Sequence, residues 1–379
     1  MTSIERVKTA LAFGEPDRVP LAHFAIDCDT IGRVIGRKSI VRDKAGLTQA
    51  YWDGRRDEVV EQTVADLTDF YRALPLWDII PLWKMAQVPP TGYHRPKPRQ
   101  IGDGAWEDDA GRVYRYSPVA NEIVLVRDPV TDARQWTLDE FPLDPEVGPE
   151  DESIYEAYDA IRPTLPDDTY VLGPFPMANE QVLLGGYERG MVEIALHPEV
   201  VERAVQSSIA VARRQRERWR NRGQHGALNG ADWGHSTGTF VSPATFRKLF
   251  APAVRFNVEQ VHAADLDFFQ HSCGDFRPII DQLADAGIDC MQSLQPSAGM
   301  TPESVKRLSG NRLAGWGGMD VAILVDGTPD EVRAAVRETM RTCKPGGGFI
   351  MGATNSVAWG TKYDNFMAWL DEFESTRAY

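Results

Sequence analysis

The chain has 379 residues, 42% of them hydrophobic and 25% charged, and carries a formal net charge of −14. This is the composition of a globular enzyme with a sizeable core, and the acidic excess argues against a nucleic-acid or anionic-membrane surface. No run approaches a membrane span, the N-terminus lacks the apolar stretch of a secretory signal, and four scattered cysteines make no disulfide scaffold. A reducing, cytoplasmic setting is therefore expected.

In chain order, Thr2–Phe13 has the spacing of a short amphipathic helix, and Val19–Ile26 reads as a first strand closing on Asp27-Cys28-Asp29. Helical spacing over Leu47–Tyr71 is followed by a second strand, Leu76–Ile80. Roughly 87–149 breaks the rhythm. Its Gly-Asp-Gly turn and its alternating runs, Val113–Tyr116 and Glu122–Val126, predict a β-hairpin insertion after strand two, followed by a proline- and acid-rich connector. Helix, strand and helix resume over Ile154–Leu165, Tyr170–Gly173 and Asn179–Ala195. The arginine-rich helix Glu199–Arg222 presents a solvated face.

Later strands are expected at Ala227–Asn229, Leu266–Gln270, Asp289–Gln292, Leu313–Trp316 and Gly348–Met351. They alternate with helices at Pro243–Ala264, Arg277–Ala286, Pro302–Leu308, Pro329–Thr342 and Tyr363–Phe373. About eight strands alternating with helices is the pattern of an α/β protein, a (β/α)₈ TIM barrel in one domain spanning 1–379. In such a barrel, functional side chains gather where strands end. Asp27, Asp29, Glu180, Asp232, Trp233, His235, Gln292, Gln295 and Asn355 all fall at such places.

Phe268–Gly274 reads Phe-Phe-Gln-His-Ser-Cys-Gly. Extended backbone alternates faces, so His271 and Cys273 point the same way, and imidazole plus thiol make half of a zinc site. A buried cysteine beside a hydrogen-bonded histidine has the same spacing. Asp232, His235 and Glu180 are the acid–base candidates. Asp27, Asp29, Gln292, Gln295, Asn355 and Trp233 are candidates for holding substrate. Cys290 and Cys343 read as structural.

Several ordered motifs resemble the uroporphyrinogen decarboxylase superfamily over nearly the whole chain. They are Gly173-Pro174-Phe175 leading to Glu180, Asp232-Trp233-Gly234, His271-Ser272-Cys273-Gly274, Gln295-Pro296, Gly315–Asp320 and Gly347–Ile350. The resemblance implies a (β/α)₈ barrel and either porphyrinogen decarboxylation or methyl transfer with a corrinoid protein. The decarboxylases resemble one another in an Arg-Gln-Ala-Gly-Arg segment after the first strand. Here that place reads His23–Asp29, without the arginine forks that suit a polycarboxylate.

The methyltransferase branch fits His271 and Cys273 better, and implies zinc, a small-molecule substrate and a corrinoid carried by a partner protein. Its third metal ligand is commonly a cysteine after the last strand, where this chain has Asn355, a poor zinc ligand. Cys28 is the expected replacement, with Glu180, Asp27 and Asp29 as alternatives. A metal-independent decarboxylase or lyase, acting on a substrate other than uroporphyrinogen, is the alternative activity.

Overall fold

The computed structural model describes residues 1–379. Its first strand, β1 (Ile79–Ile80), is short and fully buried. Four strands then pair antiparallel in sequence order: β2 (Arg99–Gly102), β3 (Ala105–Glu107), β4 (Val113–Ser117) and β5 (Glu122–Arg127). The two alternating runs expected to make a hairpin are thus β4 and β5 of a larger sheet. β6 (Tyr170–Val171) returns to pair parallel with β1.

Beyond β6 come β7 (Gly226–Gly230) and a small hairpin of β8 (Gly234–His235) and β9 (Gly238–Thr239). The remaining strands are β10 (Asp267–His271), β11 (Cys290–Leu294), β12 (Ala314–Met319) and β13 (Phe349–Ala353). These four join β7 in one parallel sheet of order β13-β12-β11-β10-β7. β11 and β13 are buried along their whole length, as expected for parallel strands covered by helices on one face and core on the other.

The predicted first strand differs. Val19–Ile26 makes isolated parallel bridges only, from Leu21 to Met351, Ala22 to Ile79 and Ile26 to Val357. Pro20 has no N–H to give, and the Leu21 N–H donates to the Asp78 carboxylate at 3.0 Å. A further bridge joins Leu172 to Gly226. Eight parallel segments are therefore linked, but by single bridges in places and not by one continuous ladder.

Helix bounds follow backbone chemistry. The expected helix 47–71 is two, Lys44–Trp52 and Arg56–Ala73, parted at Gly54 with φ +71°. The helix expected from Asn179 begins only at Tyr187, because Gly185 and Gly186 sit at φ +84° and +89°. By contrast, Pro302–Leu308 and Pro329–Cys343 start where Thr301 and Thr328 cap them and proline takes the first helical position. No helix is long and apolar enough to cross a membrane.

Candidate metal centre

Three neighbouring strand ends and one loop converge on Cys273. His271 closes β10, with Cys273 two residues beyond on the same side. The His271 Nε2 lies 3.5 Å from the Cys273 sulfur. The parallel register pairs His271 with Gly230, so Asp232, two residues past Gly230, comes beside Cys273. Its Oδ1 accepts the Cys273 backbone N–H at 2.9 Å and lies 3.5 Å from His271 Nε2. The ligating atoms of Asp232, His271 and Cys273 all lie within 4.8 Å of one another.

The surrounding side chains fix this group. Gln292 on β11 accepts the Nδ1 proton of His271 through Oε1, while its own amide N–H donates to Ala353 O at 3.4 Å. That leaves Nε2 turned toward Asp232 and Cys273, the arrangement in which imidazoles bind metals. Ser293 Oγ and Asn355 Nδ2 approach the sulfur to 3.1 and 3.3 Å. Ser293 occupies φ +74°, a conformation a non-glycine residue rarely adopts, at the bulge where β11 slips against β12. Strain of this kind, about 1–3 kcal/mol, persists where the neighbours dictate one side-chain position. Phe24 stacks on the His271 ring at 4.4 Å between centroids.

Burial opposes charge on His271, yet Asp232, Cys273 and Gln292 together hold its pKa at about 9. Burial likewise opposes charge on Asp232, but the hydrogen bonds from His271 and the Cys273 amide lower its pKa to about 2. The field around Nε2 thus favours a positive charge there, whether proton or metal ion. Zinc holds nitrogen, oxygen and sulfur ligands at about 2.0–2.3 Å, which puts tetrahedral neighbours roughly 3.3–3.8 Å apart. The two 3.5 Å separations meet that requirement. One imidazole, one cysteine sulfur and one carboxylate are a donor set suited to zinc, and three protein donors leave a fourth position open.

Asn355 completes the ring without joining the donors. Its Oδ1 accepts the Ser356 N–H at 2.7 Å, which turns the amide nitrogen to the sulfur. Cys28, the expected third ligand, does not join the group either. It opens the helix Cys28–Ile35, is buried against Asn121, and lines a separate cavity of about 770 Å³. Burial and three nearby aspartates push its thiol pKa up to about 12, the opposite of a ready metal ligand.

The other expected residues divide as follows. Gln292 and Gln295 belong to the site's frame, Gln295 accepting the Gly274 N–H at 2.8 Å. Asp27 accepts from Arg42 at 2.7 Å and from the Trp359 N–H at 3.0 Å, and Asp29 from the Gly360 N–H at 2.8 Å. Both acids therefore tether the C-terminal loop. Trp233 is buried against Phe246 and Phe250 and does not line the cavity beside the cluster. His235 is exposed on β8 and faces Thr237 and Phe240. Glu180 is fully buried with Asn257, and burial raises its pKa to about 7.

Beside the cluster is a cavity of about 280 Å³ walled by Phe24, Trp83, Lys84, Phe175, Met177 and Asn229 among others. Gly230, also on this wall, packs against the His271 side chain. Sequence reasoning missed Lys84 and Ser293. Lys84 had a signal, since it follows β1 directly and strand ends are where function gathers. Ser293 had none, because a bulge is invisible without the neighbouring strand.

A family model described as uroporphyrinogen decarboxylase (URO-D) matches residues 117–375. Among solved structures, a methyltransferase from Methanosarcina mazei aligns over 99% of this chain and 99% of its own, at 15% identity and a TM-score of 0.64, a likeness of fold. The ochratoxinase of A. niger aligns over 47% of this chain and 40% of its own, at 15% identity, and its TM-score of 0.26 carries no argument. No curated protein sequence matches. The family match covers well over half the chain and includes every strand of the five-stranded sheet, so the chain belongs to the uroporphyrinogen decarboxylase family.

Proposed function

We propose that the chain is a zinc-dependent methyltransferase, with Asp232, His271 and Cys273 holding the metal. In this reading residues 1–379 work as one (β/α)₈ unit whose strand ends form the mouth. The observation that carries the proposal is the three-donor cluster, in which His271 Nε2 stands at zinc-ligand spacing from both Asp232 and Cys273, beside a cavity large enough for one small molecule. The likeness in fold to a methyltransferase agrees with it. The methyl group moves from a heteroatom of a small methylated compound to a corrinoid protein, which meets the mouth as a separate partner. The carbon leaves without the bonding electron pair, so the heteroatom keeps that pair and takes up charge or a proton.

Bound zinc would supply Lewis acidity at that heteroatom, so that it could leave the methyl carbon with the bonding pair. The chain's own residues do the rest. Gln292 holds His271 in the orientation that presents Nε2. Ser293 and Asn355 direct polar hydrogen at the Cys273 sulfur and draw charge from it. Phe24 covers the His271 ring and, with Trp83 and Phe175, keeps bulk water from the reacting atoms.

Metal analysis of purified wild type beside Asp232→Ala, His271→Ala and Cys273→Ala tests the proposal. We expect about one zinc per chain in wild type and loss of most of it in each variant, with folding retained by circular dichroism. Folded wild type without metal after growth in zinc-supplemented medium would overturn the reading. Release of carbon dioxide by such metal-free protein would favour the lyase alternative.

A further inference from the structure

Lys84 has no partner. It lies on the short helix Leu82–Met85 that follows β1, on the wall of the 280 Å³ cavity. Every other lysine in the chain finds a carboxylate or a backbone carbonyl within 4 Å. The Lys84 ammonium has only the face of Phe24, with Nζ 5.1 Å from the ring centroid. Cation–π contact is a weak substitute for an anion.

The charges around it do not neutralise it. The Arg42 guanidinium adds to the positive field, though its own hydrogen bonds go to Asp27 and Ser356 at 2.7 and 3.2 Å. Asp232 is the acid whose field reaches Lys84, and it is engaged by His271 and the Cys273 amide. The rest of the wall is largely aromatic or apolar: Phe24, Trp83, Phe175, Met177, Leu172 and Leu228. Lys84 is solvent-exposed, so an ammonium free of any carboxylate stands at the open rim of an aromatic slot, where it can receive an anion with a flat, apolar body.

We infer that this cavity takes a small planar carboxylic acid, its ring against Trp83 and Phe175 and its carboxylate on Lys84. The volume suits a single ring with short substituents. Together with the methyl-transfer reading, on which this further step rests, the substrate is an aromatic acid whose methylated heteroatom lies at the end away from Lys84. Binding of the acid itself stands without that reading.

Isothermal titration of the purified full chain with benzoate and with benzamide, its uncharged isostere, tests the inference. We expect benzoate to bind about tenfold or more tightly than benzamide, since only the acid gains a charge-assisted hydrogen bond. Lys84→Met should abolish that preference and Lys84→Arg should retain most of it, both with unaltered zinc content. Equal binding of the two probes to wild type would overturn the inference. So would an undiminished preference in Lys84→Met, which would mark benzoate as bound to the metal and not to the lysine. Zinc assayed on the same samples separates the two proposals: a chain that prefers benzoate yet holds no zinc keeps the acid site and loses the methyltransferase.

Discussion

Replacing Glu180 with glutamine should remove a pH dependence from the stability of the fold. One carboxyl oxygen accepts the Asn257 amide at 2.9 Å, while the other is buried without a partner. Gln270 Oε1 is also buried without a donor, and Gln270 lies within hydrogen-bond reach of the same carboxyl group. A proton on Glu180 removes the charge that burial penalises at the partnerless oxygen. Burial raises the pKa from 4.5 to about 7, against the lowering effect of Asn257, Asn229 and Gln270.

The folded state therefore holds this proton more tightly than the unfolded chain does. Its stabilising contribution is complete below about pH 4.5 and is lost as pH rises through about 7. A difference of that size corresponds to about 3 kcal/mol. Glutamine keeps the shape and the acceptor and carries a permanent N–H donor. Urea unfolding at pH 5 and pH 8.5 is the assay. We expect wild type to lose more stability than Glu180→Gln over that interval, by most of the 3 kcal/mol. Near pH 5 the two proteins should be nearly equal, and near pH 8.5 the variant should be the more stable. Comparing the two cancels the contributions of His271 and every other shifted group. Parallel profiles for the two proteins would refute the reasoning, because Glu180 would then be no harder to ionise folded than unfolded.

Two further perturbations address the site's frame. Gly274 sits at φ +75°, and a Cβ there would lie 2.2 Å from the Gly234 carbonyl carbon. Gly274→Ala should cost on the order of 3 kcal/mol or more and show as lost soluble yield or a sharply lower Tm, and wild-type melting would contradict the packing described. Asn355→Cys would put a thiol where an amide nitrogen now lies 3.3 Å from the Cys273 sulfur. We expect zinc to resist about tenfold more chelator in this variant, with turnover reduced as the open position fills, and an unchanged chelator midpoint would exclude the position as a ligand site.

Local chemistry was legible in the sequence, and register was not. The Thr-Pro starts of the helices at 302 and 329 and the period-two pairing of His271 with Cys273 are short-range features, and the structure has both. The first strand misled because an apolar run does not reveal that Pro20 lacks an N–H or that Asp78 takes the next one. Cys28 looked like a ligand because it ends that run, but the chain turns at once into a helix and carries the thiol toward Asn121.

The third donor depends on a relation between strands. β7 and β10 are neighbours in the sheet with Gly230 opposite His271, so advancing two residues along each brings Asp232 to Cys273. On the other side Gln292 stands opposite His271, and the next residue, Ser293, reaches the same sulfur because the bulge turns its backbone to φ +74°. Both contacts depend on parallel pairings between segments separated by a helix. A shift of one residue between β7 and β10 would turn Asp232 to the opposite face and leave His271 and Cys273 without their carboxylate. The glycines at the crossing points guard against that shift. Gly234 packs directly on the backbone of Asp275, and Gly274 on that of Gly234, so the loops after β7 and β10 lock together at backbone contact. The geometry of the Asp232, His271 and Cys273 cluster is thus set less by its own sequence spacing than by two residues without side chains beside it.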